Sequence, residues 1–260
     1  MRRLSRPALA EAPEGWLKAR QAELDAERAA GSSPDVNKRW DKHRRALEQS
    51  GVFSALQQMV GPHERCVWCV DSRAADVEHY RPKARFPEAV FVWENLLWAC
   101  APCNRKKGAQ FRLAADGVPL LLDPTRQDPW DHLVFEPDTG QLVPRLDPAT
   151  GEPDPVGAAT CSPKLLPLNV EAVTHGRRRA WWALCEAVSD FLARPDAEQE
   201  RRLFARVEAA ERPELVVWAL LREGREFFPF SAFCATYPTN VASLLAKLPQ
   251  PPSPRYAPPA

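Results

Sequence analysis

Two Cys-x-x-Cys pairs, Cys66/Cys69 and Cys100/Cys103, carry the clearest chemical spacing in this chain of 260 residues. Each tight loop can turn two thiolates toward one point. Two such loops together supply the four soft ligands of a tetrahedral zinc site. The pairs are separated by 30 residues, more than the roughly 15–20 of a compact zinc module, so further structure must fold inside the closed loop. A redox Cys-x-x-Cys is the competing reading. It normally needs one pair at a strand–helix junction, not two pairs with polar residues between them. Cys161, Cys185 and Cys234 are isolated and read as small apolar residues of the interior.

Between the pairs lies Asp76-Val77-Glu78-His79-Tyr80-Arg81-Pro82-Lys83. Glu78 offers oxygen to a hard divalent metal. His79, with an ordinary pKa of about 6.5, suits deprotonation of water at neutral pH. An ideal strand would send these neighbours to opposite faces, and a bend near Pro82 can turn both toward one cavity. In Trp93-Glu94-Asn95-Leu96-Leu97-Trp98, Asn95 can bond a backbone carbonyl or the imidazole and fix its orientation, or it can simply cap a loop. After Cys103, Asn104 can offer its carbonyl oxygen to the same metal. Arg81, Lys83, Arg105 and Lys107 can meet phosphate charge, although basic residues beside a zinc knuckle are also often only a solvated face.

The elements that must hold these groups are partly legible. Residues 1–15 read as a mobile arm, followed by a charged helix over 16–30 that stops at Gly31. Ser33 and Pro34 fit an N-cap and first helical position, and 35–60 reads as helical with a break near Gly51. Residues 63–108 read as strand, turn, strand, long loop and a short helix from about 101. Short strands are expected at 118–122, 132–135 and 141–144, the last two as a hairpin. Residues 145–163 read as a loop. Helical spacing resumes from 169, with further helices at 197–211, 213–224 and 239–247. This gives an α+β, mostly helical chain: N-terminal arm and helices over 1–62, a motif-bearing core with its hairpin over 63–145, a C-terminal helical region over 168–247, and a disordered tail over 248–260.

Composition narrows the function classes. Formal net charge is +1, so any attraction to nucleic acid must come from local patches. No apolar run approaches the roughly 20 residues of a membrane helix, and the basic N-terminus lacks the apolar stretch of a secretion signal. A cytoplasmic protein without a membrane partner is expected. Trp181-Trp182 and Phe227-Phe228-Pro229-Phe230 can be core or partner surface.

The pattern C-x2-C, E-H-Y-R-P-K, W-x-N-L-x-W-x-C-x-x-C-N-R-K-K-G over about 66–108 resembles the zinc-containing HNH endonucleases with the ββα-metal fold. With LLDPTRQDPWDHLVFEPDTGQLVP following, it is similar in particular to the HNH proteins of bacterial retron-associated and Septu-type anti-phage defence systems. The resemblance implies a metal-dependent endonuclease, with His79 as general base and Asn95 as the middle Asn of the motif. Glu78 and Asn104 would ligate the catalytic metal, and the four cysteines would hold structural zinc. It also implies an ATPase partner. Two positions depart from the pattern. Glu78 stands where Asp is common, and Asn104 where His is often found. The resulting oxygen-only ligand set favours Mg²⁺ or Mn²⁺. DNA is the expected substrate ahead of RNA. An RNase or tRNase toxin, and a non-catalytic zinc module that binds nucleic acid, are the alternatives.

Overall fold

The computed structural model describes residues 1–248, so nearly all of the tail expected to be disordered lies outside the described residues. Three helices come first: α1 (Glu11–Ala29), α2 (Val36–Gln49) and α3 (Val52–Val60). Helix α2 is capped by Asp35, not by Ser33: its carboxylate accepts from the backbone N–H groups of Asn37 and Lys38. Gly51 separates α2 from α3 at φ +90°, a left-handed conformation that suits glycine.

The expected strand–strand–helix unit follows. Strand β1 (Asp76–His79) pairs antiparallel with β2 (Leu96–Ala99), with Asp76 opposite Ala99 and His79 opposite Leu96. Helix α4 (Ala101–Lys107) leaves β2 through Cys100. All four β2 residues are buried, which explains the continuous apolar run Leu96-Leu97-Trp98-Ala99. One side of this unit is covered by α3, where Phe53 meets Trp98 with ring centroids 5.2 Å apart.

A second hairpin, β3 (Leu133–Glu136) and β4 (Gln141–Pro144), turns at Asp138-Thr139-Gly140. Gly140 has φ +75°, and a Cβ there would lie 2.3 Å from the Thr174 carbonyl oxygen. The hairpin can therefore sit against the helix that carries Thr174 only with glycine at its turn. The remainder is α5 (Pro155–Cys161), α6 (Glu171–Ala193), α7 (Ala197–Glu208), α8 (Pro213–Leu221), α9 (Phe230–Thr236) and α10 (Pro238–Ala246). Phe135, Trp181, Trp218 and Phe230 pack ring against ring where the hairpin meets these helices. Trp182 and Phe228 remain exposed, and Cys161 and Cys234 are half-buried. No described helix is long and apolar enough to cross a membrane.

Three local expectations are corrected. Residues 1–10 are not a mobile arm: Met1 and Leu4 are buried, and the arm is tied to distant backbone. Arg6 donates to the carbonyl oxygens of Trp93 and Leu96, each at 2.8 Å, and lies over the Trp93 ring. Trp93 returns a bond from its indole N–H to the Pro7 carbonyl. These partners are backbone carbonyls far away in sequence, which leave no periodic signal. Residues 118–122 form no strand; a single bridge joins Leu113 to Pro119. The segment 145–163 contains α5, begun by Asp154 as N-cap and Pro155 at the first position.

Candidate active site and zinc centre

The four cysteines are buried and their sulfurs lie within 4.8 Å of one another. Cys69 Sγ and Cys100 Sγ are 3.8 Å apart, far beyond a disulfide at about 2.05 Å. A tetrahedron with Zn–S bonds of about 2.3 Å has edges of about 3.8 Å. The donor set and its spacing therefore fit a structural zinc ion. Val70, directly after Cys69, donates its N–H to the Cys66 carbonyl and has φ +55°, a costly backbone for a β-branched residue. A metal drawing Cys66 and Cys69 together can hold such a turn. The first loop is also stitched to β2, through Val67 N–H to the Trp98 carbonyl. An ion held by the four cysteines would thus bear directly on the β1–β2 hairpin.

His79 ends β1 inside the interior. Its Nε2 is 3.0 Å from the Val90 carbonyl oxygen. A carbonyl only accepts, so Nε2 carries the proton and Nδ1 keeps a lone pair. The edge of the imidazole meets Trp40 of α2, with centroids 4.4 Å apart. Burial, aided by the positive charges of Lys83 and Lys107, pulls His79 down to a pKa of about 3. The ring is neutral at physiological pH and can accept a proton at Nδ1.

Glu78, His79, Asn104 and Lys83 line one cleft of about 460 Å³, together with Asp76 and the α2 residues Asn37, Trp40, Asp41 and Arg44. Four of the residues singled out from the sequence, Glu78, His79, Asn104 and Lys83, are thus brought together. Asn104 donates from Nδ2 to Asp76 Oδ2 at 3.3 Å, and its carbonyl oxygen remains an acceptor. Asp76 was missed as a site residue. The signal was present, because residues two apart on a strand share a face and Asp76 accompanies Glu78.

Lys107 is corrected. It is not a surface contact for phosphate: its side chain is fully buried and donates to Glu78 Oε1 at 2.6 Å and to the His79 carbonyl at 2.7 Å. Burial pushes the Glu78 carboxyl up and the Lys107 ammonium down, and each charge pulls its partner part of the way back. Helical geometry carries Lys107 to the inner face of α4, whereas Arg105 remains exposed. Removing one partner of a buried pair strands the other. Lys107→Met is expected to cost about 3–5 kcal/mol in denaturant unfolding, and adding Glu78→Gln to recover much of that.

Asn95 sits away from the cleft. Its Oδ1 accepts from Arg81 N–H at 2.7 Å, and its Nδ2 donates to the carbonyls of Arg81 (3.0 Å) and Ala89 (2.8 Å). It bonds backbone carbonyls, not the imidazole. It ties the end of β1 to the loop whose next carbonyl, Val90, holds His79, which makes it a positioning residue. Asn95→Ala leaves three part-buried backbone groups of Arg81 and Ala89 without their partner, at up to about 1–3 kcal/mol each. We expect a loss of about 3 kcal/mol or more by chemical denaturation. Arg81 is exposed and lines a separate cavity with Asn95.

No protein-family model matches the chain. Over 76 residues it is 34% identical to the Septu protein PtuB of Bacillus thuringiensis. The alignment covers 27% of this chain and 28% of PtuB. The likeness to PtuB therefore spans little more than a quarter of either protein.

Proposed function

We propose that the chain is an HNH-type endonuclease that hydrolyses DNA phosphodiester bonds, with residues 63–145 as its catalytic unit. The observation that carries this reading is the setting of His79. A neutral imidazole is held at Nε2 by the Val90 carbonyl and keeps its Nδ1 lone pair, in a cleft that also contains Asp76, Glu78 and Asn104. His79 takes a proton from water through Nδ1, and the resulting hydroxide attacks phosphorus. Trp40 and the Val90 carbonyl keep the ring from turning away. Lys107 fixes the end of β1 through the His79 carbonyl and Glu78.

The oxygen donors of the cleft suit Mg²⁺ or Mn²⁺. Glu78 and Asn104 would hold the ion, with Asp76 beside them. When bound, it supplies positive charge for the developing charge at phosphorus and on the leaving oxygen. Lys83, half-buried at the cleft, and the exposed Arg81 and Arg105, which do not line it, would meet substrate backbone outside the reacting group. None of these groups reads bases, so weak sequence preference follows.

The partial likeness to PtuB supports a role in anti-phage defence, with an ATPase as the regulatory partner in the cytoplasm. The test is cleavage of duplex DNA, single-stranded DNA and RNA, each with Mg²⁺ or Mn²⁺. Metal-dependent cutting of DNA is expected. Cutting of RNA alone would make the chain an RNase, and binding without cutting would make it a zinc module without catalysis.

A further inference from the structure

We propose that α2 is the phosphate-binding wall of the cleft, its exposed cations Lys38, Lys42 and Arg45 flanking a DNA strand whose scissile phosphate lies at His79. This rests on the nuclease reading and adds to it the surface that holds the substrate. The helix lies outside the zinc-closed loop in sequence, yet it is part of the site. Asn37, Trp40, Asp41 and Arg44 line the cleft, and Trp40 packs on His79 itself.

Successive helix residues turn by about 100°. Lys38, Lys42 and Arg45, spaced i, i+4 and i+7, therefore share a second stripe, about a third of a turn from the cleft face. All three are exposed. The other cations of α2 are engaged: Arg39 pairs with Glu27, and Arg44 lies 3.8 Å from Asp76. Lys38 has only a long 3.9 Å contact with its own cap, Asp35. No ion pair is formed by Lys42 or Arg45 among the described residues. The acids Asp41 and Glu48 fall toward the cleft side of the helix, so the outer stripe is cationic. From Lys38 to Arg45 the helix rises about 10 Å, the axial length of about three phosphates of one strand. Lys83, from the segment after β1, also lines the cleft. In a chain of formal net charge +1, a local stripe of this kind is what can hold a polyanion.

The test uses the full-length His79→Ala protein, which separates binding from cleavage. Its affinity for a labelled DNA duplex is measured by fluorescence anisotropy across a salt series. The same is done after adding Lys42→Glu/Arg45→Glu, and with the milder Lys42→Gln/Arg45→Gln. Arg201→Glu/Arg202→Glu on the exposed face of α7 is the charge-matched control. Zinc content and circular dichroism confirm folding of each variant. Reversal on α2 is expected to weaken binding at low salt by about tenfold or more. The slope of log affinity against log salt should shrink by about 2 for the Gln pair, with little change for the α7 control. Equal affinity and slope in the α2 variants and their parent would overturn the proposal, as would an equal loss in the α7 control. If the parent binds no DNA and the wild-type chain cuts none, the nuclease reading fails and takes this proposal with it. Binding by the parent that ignores α2 overturns the proposal alone.

Discussion

Replacing His79 with alanine should leave a folded, zinc-loaded protein whose cleavage rate has fallen by at least two to four orders of magnitude. General-base catalysis contributes about 10²–10⁴-fold, and no other imidazole lines the cleft. The substitution touches none of the four cysteines, so zinc content measures whether the site's scaffold survives. The ring also carries a stability signature. Its folded pKa is about 3, below an unfolded value of about 6.5. An unfolded His79 therefore binds a proton that the folded one refuses. This contribution to stability is fully present above pH 6.5 and is lost as pH falls from there toward 3. The alanine variant should lack that part of the acid limb. Urea unfolding at pH 7 and at pH 5 measures the difference: wild type should lose more stability than the variant between these values, apart from effects common to both.

Loss of one zinc ligand should be more disruptive than loss of the base. Cys100→Ser replaces a thiolate at the junction of β2 and α4 with a poorer ligand. Apparent binding energies of structural zinc in small modules are about 10–16 kcal/mol, and this energy is coupled to folding. Only part of that falls on this larger chain, whose core is broad. The segment from Cys66 to Lys107 should still lose its order first, because the first cysteine loop holds Val70 in a left-handed turn and is bonded to β2. We expect zinc stoichiometry to fall from one toward zero. Hydrogen exchange should become fast across β1 and β2, with far smaller change in α6 to α10. Chelation of the wild-type protein should reproduce the pattern. Full protection of β1 and β2 in a zinc-free variant would show that the ion is dispensable to the hairpin.

Much of the site could be read from the sequence because it is local. Two Cys-x-x-Cys loops, a Glu-His pair and a Cys-Asn helix start are short motifs whose geometry is set within a turn or two. The hairpin over 133–144 was legible for the same reason, through Asp138-Thr139-Gly140. What escaped depends on packing between distant segments. Nothing in the first ten residues signals that Arg6 will grip the carbonyls of Trp93 and Leu96 where β2 begins. Nothing in α2 signals that Trp40 will lie on His79. Lys107 looked like surface charge because it follows Arg105 and Lys106, and only the helical phase of α4 sends it inward to Glu78. Asp76 was different, since strand alternation alone places it beside Glu78.

The most direct test of a His79-centred, metal-dependent nuclease is a single cleavage series. The purified chain and its His79→Ala variant are incubated with duplex DNA in Mg²⁺, in Mn²⁺ and in EDTA, and the products are resolved on a denaturing gel. The predicted result is strand cleavage by the wild-type chain that requires a divalent ion and disappears with His79. Cleavage that persists undiminished in the folded, zinc-loaded variant would contradict it.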